Sequence, residues 1–421
     1  MRIAVVGGGY VGLVTGACFA ELGHTVDIVE IDAGKAAAIN AGRAPIHERG
    51  LDALLAKHAG VRLRAGTDYG PVALSDLAFI CVGTPPAADG SADLSMVAAA
   101  SRSIGEALRE GKGAHTVVVK STVPPGTTEN LVAPTVGNHS HRADTGFAMN
   151  PEFLREGRAV EDFLHPDRIV IGSRDGRSGD TVAAAYTGVS APVVRCGLTA
   201  AEMIKYASNA LLATKISFAN EVGNVCKRLG IDVYEVMRGV GMDHRVSAHF
   251  LSAGAGFGGS CFPKDVAALV RLAEGLGEEP ALLRSVLDVN DRQPLRMVRM
   301  LEERLGNLSG KRIAVLGLAF KDNTDDIREA RAVPVIAGLL QRGAAVAAYD
   351  PLAAASMRRV FPGIDYAASA ADALRGADAC LVMTEWPEFS TLNGEFDLMN
   401  SRIVIEGRRI LSCDGKEGIC W

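Results

Sequence analysis

The stretch Arg2-Ile-Ala-Val-Val-Gly-Gly-Gly-Tyr-Val-Gly12 joins a short apolar run to a helical pattern that continues through Leu22. Gly7, Gly9 and Gly12 follow the spacing G-x-G-x-x-G. In this spacing the first glycine permits a tight turn, the second lets the backbone approach a pyrophosphate, and the third lets the helix pack on the strand. The stretch therefore predicts a dinucleotide-binding α/β fold, with a glycine turn that holds no ligand as the simpler alternative.

The residue at the end of the next strand selects the cofactor. Thr25–Val29 is a predicted strand, and Glu30 follows it. A carboxylate about 20 residues beyond the glycines binds both ribose hydroxyls and repels a 2′-phosphate, which favours NAD over NADP. Tyr10 and Val11 within the turn are further candidates for this site. Lys35 is also a candidate, although a solvated surface lysine explains it equally simply.

Two further buried strands are predicted at Leu77–Val82 and Thr116–Lys120. A doubly wound sheet places its ligand at the carboxyl ends of the strands. We therefore expect the polar residues just beyond these two ends to line the nicotinamide end of the cofactor; they are Thr84, Ser121 and Thr122. The prolines and glycines around them also serve to end the strands.

A glycine-rich loop carries a single cysteine, Cys261, directly before an apolar helical run at Val266–Leu276. Pro263 suits the first turn of such a helix. The helix dipole and the neighbouring Lys264 would lower the pKa of the thiol and raise its thiolate fraction. A small buried cysteine in a glycine turn is the alternative interpretation.

Two pairs of polar residues have helical spacing. Thr199–Arg228 contains no proline and predicts one long helix, with Thr199 and Glu202 in the pattern of a capping box. Lys205 and Asn209 then share one face of that helix. Upstream, Glu152 and Glu156 would share a face if their segment were helical, and solvated glutamates are the alternative.

The last third of the chain restarts the strand and glycine pattern at Gly310–Lys321 but lacks the third glycine of the fingerprint. It predicts a nucleotide-like half without a clear dinucleotide site. Basic residues at predicted turns suit phosphate groups, and salt bridges with nearby aspartates are the alternative; they are Lys321, Arg328, Arg331 and Arg408. We expect Cys413–Trp421 to fray.

The composition excludes several classes of protein. The chain has 421 residues and a net charge of −5, without a basic stripe for nucleic acid. No apolar run reaches the roughly 18 residues of a membrane span, and the start lacks the apolar core of a signal peptide. Its eight cysteines are scattered and form no CxxC pair. We therefore expect neither disulfides nor a metal site, and a reducing cytoplasmic location.

Together the motifs resemble those of the UDP-glucose/GDP-mannose 6-dehydrogenase family. They are GGGYVG at 7–12, GTPP at 83–86, KSTVPPGT at 120–127, NPEFLREG at 150–157, the Lys205/Asn209 helix, GFGGSCFPKD at 256–265 and GLAFKDNTDDIRE at 317–329. The match runs from Met1 to about Arg409. It implies a Rossmann-like NAD-binding domain at 1–198, a central helical domain with the cysteine loop and a dimer interface at 199–305, and a UDP-sugar-binding α/β domain at 306–421.

The resemblance also implies roles for individual residues. Cys261 matches the family's catalytic cysteine. The family's polar catalytic cluster is matched by Lys205, Asn209 and Asp265. Further active-site positions are matched by Thr122 and Glu152. Positions that match cofactor contacts are Glu156, Lys264 and Arg328. Positions that match substrate contacts are Glu152, Phe153, Leu154, Lys205, Asn209, Phe250, Gly258, Lys321, Arg408 and Arg245, the last reaching the substrate of a partner subunit. The family often has longer or polar residues at Ser252 and Ala255, so nucleotide contacts there stay open.

The implied reaction is a four-electron oxidation of UDP-glucose to UDP-glucuronate, a polysaccharide precursor, with GDP-mannose or a UDP-N-acetylhexosamine as alternative substrates. Two oxidations at one site require the aldehyde to be held between them, and a thiolate at Cys261 can hold it as a thiohemiacetal. A one-step hydroxy acid dehydrogenase would share the fold but needs no cysteine. A nucleotide sensor without activity would not need the polar cluster.

Overall fold

A computed structural model describes residues 1–111 and 113–421 and has the α/β class predicted from the sequence. The chain divides into two compact units, Met1–Ser208 and Asn209–Trp421. A division into two units does not test the three domain boundaries given above, which stay a prediction. Each unit is described by itself below.

The first unit is built on an eight-stranded sheet in the order β3-β2-β1-β4-β5-β6-β7-β8, parallel except where β7 runs antiparallel to β6. Its strands are β1 (Arg2–Val6), β2 (Thr25–Val29), β3 (Leu63–Gly66), β4 (Leu77–Ile80), β5 (His115–Val119), β6 (Thr145–Met149), β7 (Ile169–Ser173) and β8 (Val193–Cys196). The order 3-2-1-4-5-6 is that of a dinucleotide-binding fold.

Helices cover both faces of this sheet. Along β1, Ile3 and Val5 enter one hydrophobic core while Ala4 and Val6 enter another, which explains the uninterrupted apolar run of a strand buried on both faces. The helices are α1 (Tyr10–Glu21), α2 (Ala33–Asn40), α3 (Leu51–His58), α4 (Gly70–Ala73), α5 (Ser95–Leu108), α6 (Ala133–Ser140), α7 (Ala159–Leu164) and α8 (Gly176–Ala185), with a π-helical turn at Thr128–Val132 before α6.

The predicted long helix is α9 (Leu198–Leu229). It begins one residue before Thr199, so the expectation that Thr199 caps it was wrong. The carboxylate of Glu202 does not serve a capping box either. It is fully buried and accepts hydrogen bonds from the backbone N–H groups of Gly126 at 2.5 Å and Thr128 at 2.7 Å. Glu202 therefore fixes the turn that follows Ser121 and Thr122.

The second unit contains the remaining helices and a six-stranded sheet that is parallel throughout, in the order β11-β10-β9-β12-β13-β14. Its elements are α10 (Val233–Gly241), α11 (Phe262–Gly275), α12 (Ala281–Arg292), α13 (Leu295–Leu305), β9 (Arg312–Leu316), α14 (Ala332–Gln341), β10 (Ala345–Tyr349), α15 (Ala354–Val360), β11 (Asp365–Tyr366), α16 (Ala370–Leu374), β12 (Ala379–Val382), two 3₁₀ turns at Pro387–Thr391 and Gly394–Leu398, β13 (Val404–Glu406) and β14 (Lys416–Gly418). The sheet repeats the strand order of the first unit.

The last residues are ordered, contrary to the expectation that Cys413–Trp421 frays. β14 pairs with β13, and Cys420 is fully buried. The indole Nε1 of Trp421 donates to the buried Glu406 carboxylate at 3.1 Å, and its ring packs edge-on against Tyr234. None of the helices within 1–111 and 113–421 has the length and hydropathy that a bilayer crossing requires.

Candidate active site

The turn between β1 and α1 has the geometry that the glycine fingerprint predicts. Gly7 has a φ of +104°, and a Cβ there would lie 2.7 Å from the carbonyl oxygen of Cys81. A Cβ at Gly12 would lie 1.9 Å from the carbonyl oxygen of Gly7, so only glycine lets α1 approach the strand. By contrast, a Cβ at Gly9 would meet no heavy atom of the described residues within 4 Å. The N-terminus of α1 thus faces open space, which fits a dinucleotide pyrophosphate.

Glu30 lies directly beside this turn. Its carboxylate is buried and accepts hydrogen bonds from the backbone N–H of Gly8 and of Asp32, each at 2.9 Å. A carboxylate has about four lone-pair positions, so two remain for ribose hydroxyls. Asp32 caps α2, and Lys35 is exposed in the first turn of that helix. Glu30 therefore fixes the glycine turn and places its carboxylate at the end of β2, where the sequence predicts the residue that selects NAD.

The polar residues at the ends of β4 and β5 lie together, as expected from the sheet topology. Thr84 Oγ1 donates to the carbonyl of Thr122 at 2.9 Å. Ser121 Oγ donates to the carbonyl of Val82 at 2.7 Å. Both donor side chains are buried. These contacts tie the two strand ends to each other on the side of the sheet where β1 ends in the glycine turn.

A buried ion pair joins α9 to the segment after β6. Lys205 Nζ lies 3.0 Å from Glu152 Oε1, and both side chains are less than a tenth exposed. Lys205 also lies over the ring of Phe153, at 5.4 Å from its centroid. The segment at 151–158 is not helical, so the shared helical face considered for Glu152 and Glu156 does not exist. Glu152 instead turns back to accept the N–H of Leu154 at 2.6 Å.

The surroundings of Glu152 keep its carboxyl group ionised. Burial raises its pKa, but the Lys205 ammonium, the N–H of Leu154 and the charge of Lys120 outweigh burial, so the pKa lies below its ordinary value. Lys120 is itself buried, and it donates to the side-chain oxygen of Asn150 at 3.0 Å. Sequence analysis assigned no role to Lys120, because a lysine at a strand end is commonly exposed.

Glu48 is a second residue that sequence analysis missed. Its buried carboxylate accepts the N–H groups of Gly157 at 2.7 Å and Ala159 at 2.9 Å and the hydroxyl of Tyr10. Burial, followed by the hydrogen bond to Glu48, raises the pKa of Tyr10. Glu48 thus connects the first residue of α1 to the end of the segment that carries Glu152 and Glu156. It lies in irregular chain without periodicity, so no sequence pattern marks it.

Within the second unit, Cys261 is the N-cap residue of α11, as predicted, and its side chain is exposed. Asp265 lies in the first turn of the same helix and is almost completely buried. Its carboxylate accepts hydrogen bonds from Asn209 Nδ2 at 2.6 Å and from Lys264 Nζ at 2.5 Å. The predicted residues Asn209, Lys264 and Asp265 therefore form one cluster at the helix start that carries the cysteine.

The arginines proposed for phosphate, and Arg245, are in ion pairs here. Arg328 bonds Asp326 at 2.6 Å, and Arg245 bonds Asp243 at 2.6 Å, both on exposed guanidinium groups. Arg408 bonds the carbonyl of Gly256 at 2.6 Å. The guanidinium of Arg408 also lies 3.0 Å from the Glu385 carboxylate, and that of Arg331 lies 3.0 Å from the Glu329 carboxylate. The ammonium of Lys321 instead lies over the Phe320 ring, 5.7 Å from its centroid. The alternative of a salt bridge with a nearby aspartate is thus confirmed for Arg328, whereas Arg331 and Arg408 pair with glutamates.

Two further substrate candidates adjoin the cysteine helix. Phe250 adopts a φ of +64°, and its ring lies edge-on to Phe262 with centroids 6.1 Å apart. Gly258 runs so close to Glu329 that a Cβ would lie 2.3 Å from that carbonyl oxygen. The first unit holds the candidates Phe153 and Leu154 beside Glu152. Each unit therefore contains part of the predicted substrate set.

In the second sheet, the carboxylate at the position that corresponds to Glu30 is occupied by hydrogen bonds from the protein itself. Asp350 follows β10 as Glu30 follows β2, but its buried carboxylate accepts the N–H groups of Leu318, Ala319, Leu352 and Ala353 and the indole N–H of Trp386. Five donors leave no free lone pair for a ribose. The occupied carboxylate agrees with the prediction that this half of the chain, which lacks the third glycine of the fingerprint, has no clear dinucleotide site.

Three family models match the chain. The NAD binding domain of the UDP-glucose/GDP-mannose dehydrogenase family matches residues 1–190, its central domain residues 199–292, and its UDP binding domain residues 314–413. The chain belongs to the UDP-glucose/GDP-mannose dehydrogenase family. The resemblance drawn from the motifs is thereby confirmed, as is NAD as the cofactor of this family. No group of three or more metal-binding side chains occurs within the described ranges.

Relatives within the family are similar over their whole length. The UDP-glucose 6-dehydrogenase AglM of Haloferax volcanii is 51% identical over 98% of this chain and 97% of that protein. A UDP-glucose dehydrogenase structure from Pyrobaculum islandicum has a TM-score of 0.96 and 45% identity, covering 100% of this chain and 98% of that one. A UDP-D-ManNAc dehydrogenase structure from Pyrococcus horikoshii has a TM-score of 0.88 and 30% identity, covering 100% and 99%.

The open space at Gly9 generates a first prediction. Gly9→Ala should leave the free energy of unfolding within about 0.5 kcal/mol, because the new methyl group meets no atom of the described chain. It should weaken NAD binding by at least about tenfold, because the methyl group occupies the path of the pyrophosphate. Calorimetric titration with NAD measures the affinity. As a control, Gly12→Ala should reduce stability as well as affinity, and unchanged NAD binding by Gly9→Ala would refute the assignment.

The buried Glu152–Lys205 pair generates a second prediction. Glu152→Gln should destabilise the protein by about 3–5 kcal/mol at pH 7, because it removes the carboxylate charge that lies 3.0 Å from the buried Lys205 ammonium. The folded pKa of Glu152 is lowered, so its contribution is complete above the unfolded pKa and is lost as the pH falls through the folded value. The difference from wild type should therefore shrink below about pH 4.

Denaturant unfolding between pH 3 and 7 measures this difference. Glu161→Gln removes a partner of an exposed pair with Arg158 and serves as the control, with almost no expected effect. A deficit for Glu152→Gln that is equally large at pH 3 and pH 7 would contradict the assignment.

Proposed function

We propose that this protein is a UDP-glucose 6-dehydrogenase that oxidises the C6 alcohol of UDP-glucose to the carboxylate of UDP-glucuronate. The observation that carries the proposal is an exposed cysteine, Cys261, at the N-cap of a helix whose first turn holds the buried Asp265. A one-step alcohol dehydrogenase has no use for a nucleophile at this position. The relatives named above support UDP-glucose as the substrate.

The reaction needs two oxidations on one carbon. NAD, when bound, supplies a hydride acceptor, and two molecules of it are needed for four electrons. After the first oxidation the Cys261 thiolate adds to the aldehyde carbon, and the resulting alkoxide takes up a proton to give a thiohemiacetal. The second oxidation converts this adduct to a thioester. Water then attacks the thioester carbon, the C–S bond breaks, and the acid and the free thiol result.

The proposed catalytic residues form two groups, one that stabilises the oxyanion and one that transfers protons. Lys205 and Asn209 lie four residues apart on α9, and they supply a cation and an amide donor for the oxyanion that develops during each addition. Asp265 and Glu152, with Thr122, are the candidates that move protons from the alcohol and the attacking water. The Glu152 carboxylate is ionised and lies beside the Lys205 ammonium, so it can accept a proton from the attacking water and later release it to solvent.

Residues of both units are also proposed as binding contacts, and some of them have catalytic roles as well. For NAD they are Gly7, Gly9, Tyr10, Val11, Gly12, Glu30, Lys35, Thr84, Ser121, Thr122, Glu156, Lys264 and Arg328. For the nucleotide sugar they are Glu152, Phe153, Leu154, Lys205, Asn209, Arg245, Phe250, Gly258, Lys321 and Arg408. Arg328, Arg245 and Arg408 would have to exchange their present carboxylate or carbonyl partners for phosphate, which guanidinium groups bind equally well.

We also propose that the chain forms a homodimer. α9 exposes Leu211, Phe218 and Val225, which are 63%, 52% and 56% accessible. They are spaced by seven residues, so they lie along one stripe of the helix, as in a helix-to-helix interface. An apolar stripe of this length is normally covered by another chain. A cytoplasmic location is proposed with it, consistent with eight free cysteines.

The proposed substrate and nucleophile generate a third prediction. Cys261→Ser should abolish net UDP-glucuronate formation while leaving NAD affinity within about twofold, because a serine hydroxyl at neutral pH has no anionic form to attack the aldehyde. Chromatography of the products after incubation with UDP-glucose and NAD measures this. Cys196→Ser, a partly exposed cysteine of the first unit, is the matched control and should keep activity.

Wild-type enzyme should be assayed with GDP-mannose and a UDP-N-acetylhexosamine in parallel. A higher kcat/KM with either of these sugars would reject UDP-glucose as the preferred substrate. Wild-type acid formation by Cys261→Ser would reject the covalent route.

The stripe on α9 generates a fourth prediction. Phe218→Glu should convert the dimer to a monomer, because a charge in the middle of an apolar interface leaves it desolvated and unpaired. Size-exclusion chromatography with light scattering measures the mass. Leu340→Glu, on an exposed position of α14, is the control and should remain dimeric. A monomeric wild-type protein would contradict the proposal outright.

A further inference from the structure

The middle of the cysteine loop at 252–261 is buried at residues 253–257 and 259, although the loop is rich in glycine. Glycines have no side chains to pack and lose much conformational freedom on folding. Each buried N–H and C=O group of the loop also requires a hydrogen-bond partner. Because the loop forms neither helix nor strand, these partners must come from other elements. The identity of the partners therefore decides what holds the loop in one conformation.

Backbone groups of residues 253–259 are bonded from outside the loop by side chains of α9, α10, α12 and the segment after β13, and by two backbone carbonyls. The bonds are Tyr234 hydroxyl to Ala253 O at 2.7 Å, Gly254 N to Asn220 Oδ1 at 2.7 Å, Gln293 Nε2 to Gly254 O at 3.0 Å, Ala255 N to Gly407 O at 2.8 Å, Arg408 Nη2 to Gly256 O at 2.6 Å, Phe257 N to Asn290 Oδ1 at 2.7 Å, Asn290 Nδ2 to Phe257 O at 3.0 Å and Gly259 N to Arg328 O at 2.9 Å. Three buried amides, Asn220, Asn290 and Gln293, supply half of these bonds.

Asn290 makes the most specific of these contacts. It is 1% exposed and uses both ends of its amide on one residue, accepting the N–H of Phe257 and donating to its carbonyl. The side-chain amide thereby makes the same two hydrogen bonds that one residue of an antiparallel strand exchanges with the residue opposite. Gly256 makes the approach possible, because a Cβ there would lie 2.6 Å from Asn290 Oδ1. Phe257 in turn lies four residues before Cys261 and packs edge-on against Phe262, the first residue of α11.

We propose that Asn290 is a positioning residue that holds the glycine loop so that Cys261 stays at the N-cap of α11. This rests on the proposed role of Cys261 in UDP-glucose oxidation. Gln293 and Asn220 bond the same loop at Gly254, three residues before Phe257. The three amides carry no charge, so they fix the backbone without adding negative charge next to the thiol.

The effect should appear in thiol chemistry and in kcat. Cys261 is already exposed, so loosening the loop cannot speed its alkylation by improving access. Loosening should instead move the sulfur away from the helix N-terminus and lower its thiolate fraction. It should also misplace the nucleophile, and a displacement of about 1 Å can cost roughly 100-fold in rate.

The test compares Asn290→Ala with Ser217→Ala. Ser217 is buried and also bonds α9 to α12, through the carbonyl of Val286 at 2.8 Å, but it does not touch the loop. Iodoacetamide labelling of the full-length protein at pH 7.5, read by peptide mass spectrometry, should be at least about threefold slower at Cys261 in Asn290→Ala. Labelling of Cys196 is the internal reference. The kcat for UDP-glucose should fall about 10- to 100-fold with KM for NAD unchanged, and Ser217→Ala should match wild type.

Gln293→Met is a second variant, in case Asn290→Ala does not fold. It keeps the side-chain volume and removes the donor to Gly254, together with the bonds of the same amide to Asn224 and Cys420, which lie outside the loop. Because the two bonds of Asn290 to the loop remain, both readouts should shift in the same direction by a smaller factor. Labelling or kcat indistinguishable from Ser217→Ala in the folded variants, or faster labelling, would overturn the proposal. Labelling needs no substrate, so slower labelling in a protein that does not oxidise UDP-glucose would leave the positioning role intact and reject only the proposed function.

Discussion

In a tight turn at the end of a strand, buried backbone N–H groups have no partner within the turn itself. The fold therefore depends on acceptors from other parts of the chain that bond these N–H groups. In both units buried carboxylates do this. They are Glu30 at the fingerprint turn, Glu48 at Gly157 and Ala159, Glu202 at Gly126 and Thr128, Asp350 at the turn after β9, and Glu406 at Ile410 and Leu411. A carboxylate can accept several N–H groups at once, so each of these side chains fixes a loop that has few side chains of its own.

These fixed loops carry the candidate catalytic residues. Glu202 holds the turn after Thr122, and Glu48 holds the end of the segment that contains Glu152. The cysteine loop differs, because its side-chain contacts come mainly from the uncharged amides Asn220, Asn290 and Gln293. A negative charge beside Cys261 would oppose formation of a thiolate and of the oxyanions that follow. Neutral amides hold the loop without adding a second carboxylate to Asp265, which lies in the first turn of the same helix as Cys261.

The sequence predicted the elements that depend on local patterns. Glycine spacing and apolar runs placed β1, β2 and α1, the absence of proline placed α9 to within one residue at each end, and Pro263 placed Cys261 at a helix start. Contacts between distant residues were not predictable. Glu202 has the spacing of a capping box but bonds residues 74 and 76 positions away. Trp421 is ordered by Glu406 and Tyr234, and neither Glu48 nor Asn290 belongs to any local motif.

The central claim is that one site carries out two successive oxidations with Cys261 holding the intermediate. The number of NADH molecules formed per UDP-glucose consumed tests it most directly, with limiting sugar, excess NAD and the wild-type enzyme. The account predicts two NADH for each UDP-glucose and UDP-glucuronate as the only sugar product. A ratio of one, with a free aldehyde or a keto sugar as the product, would contradict it.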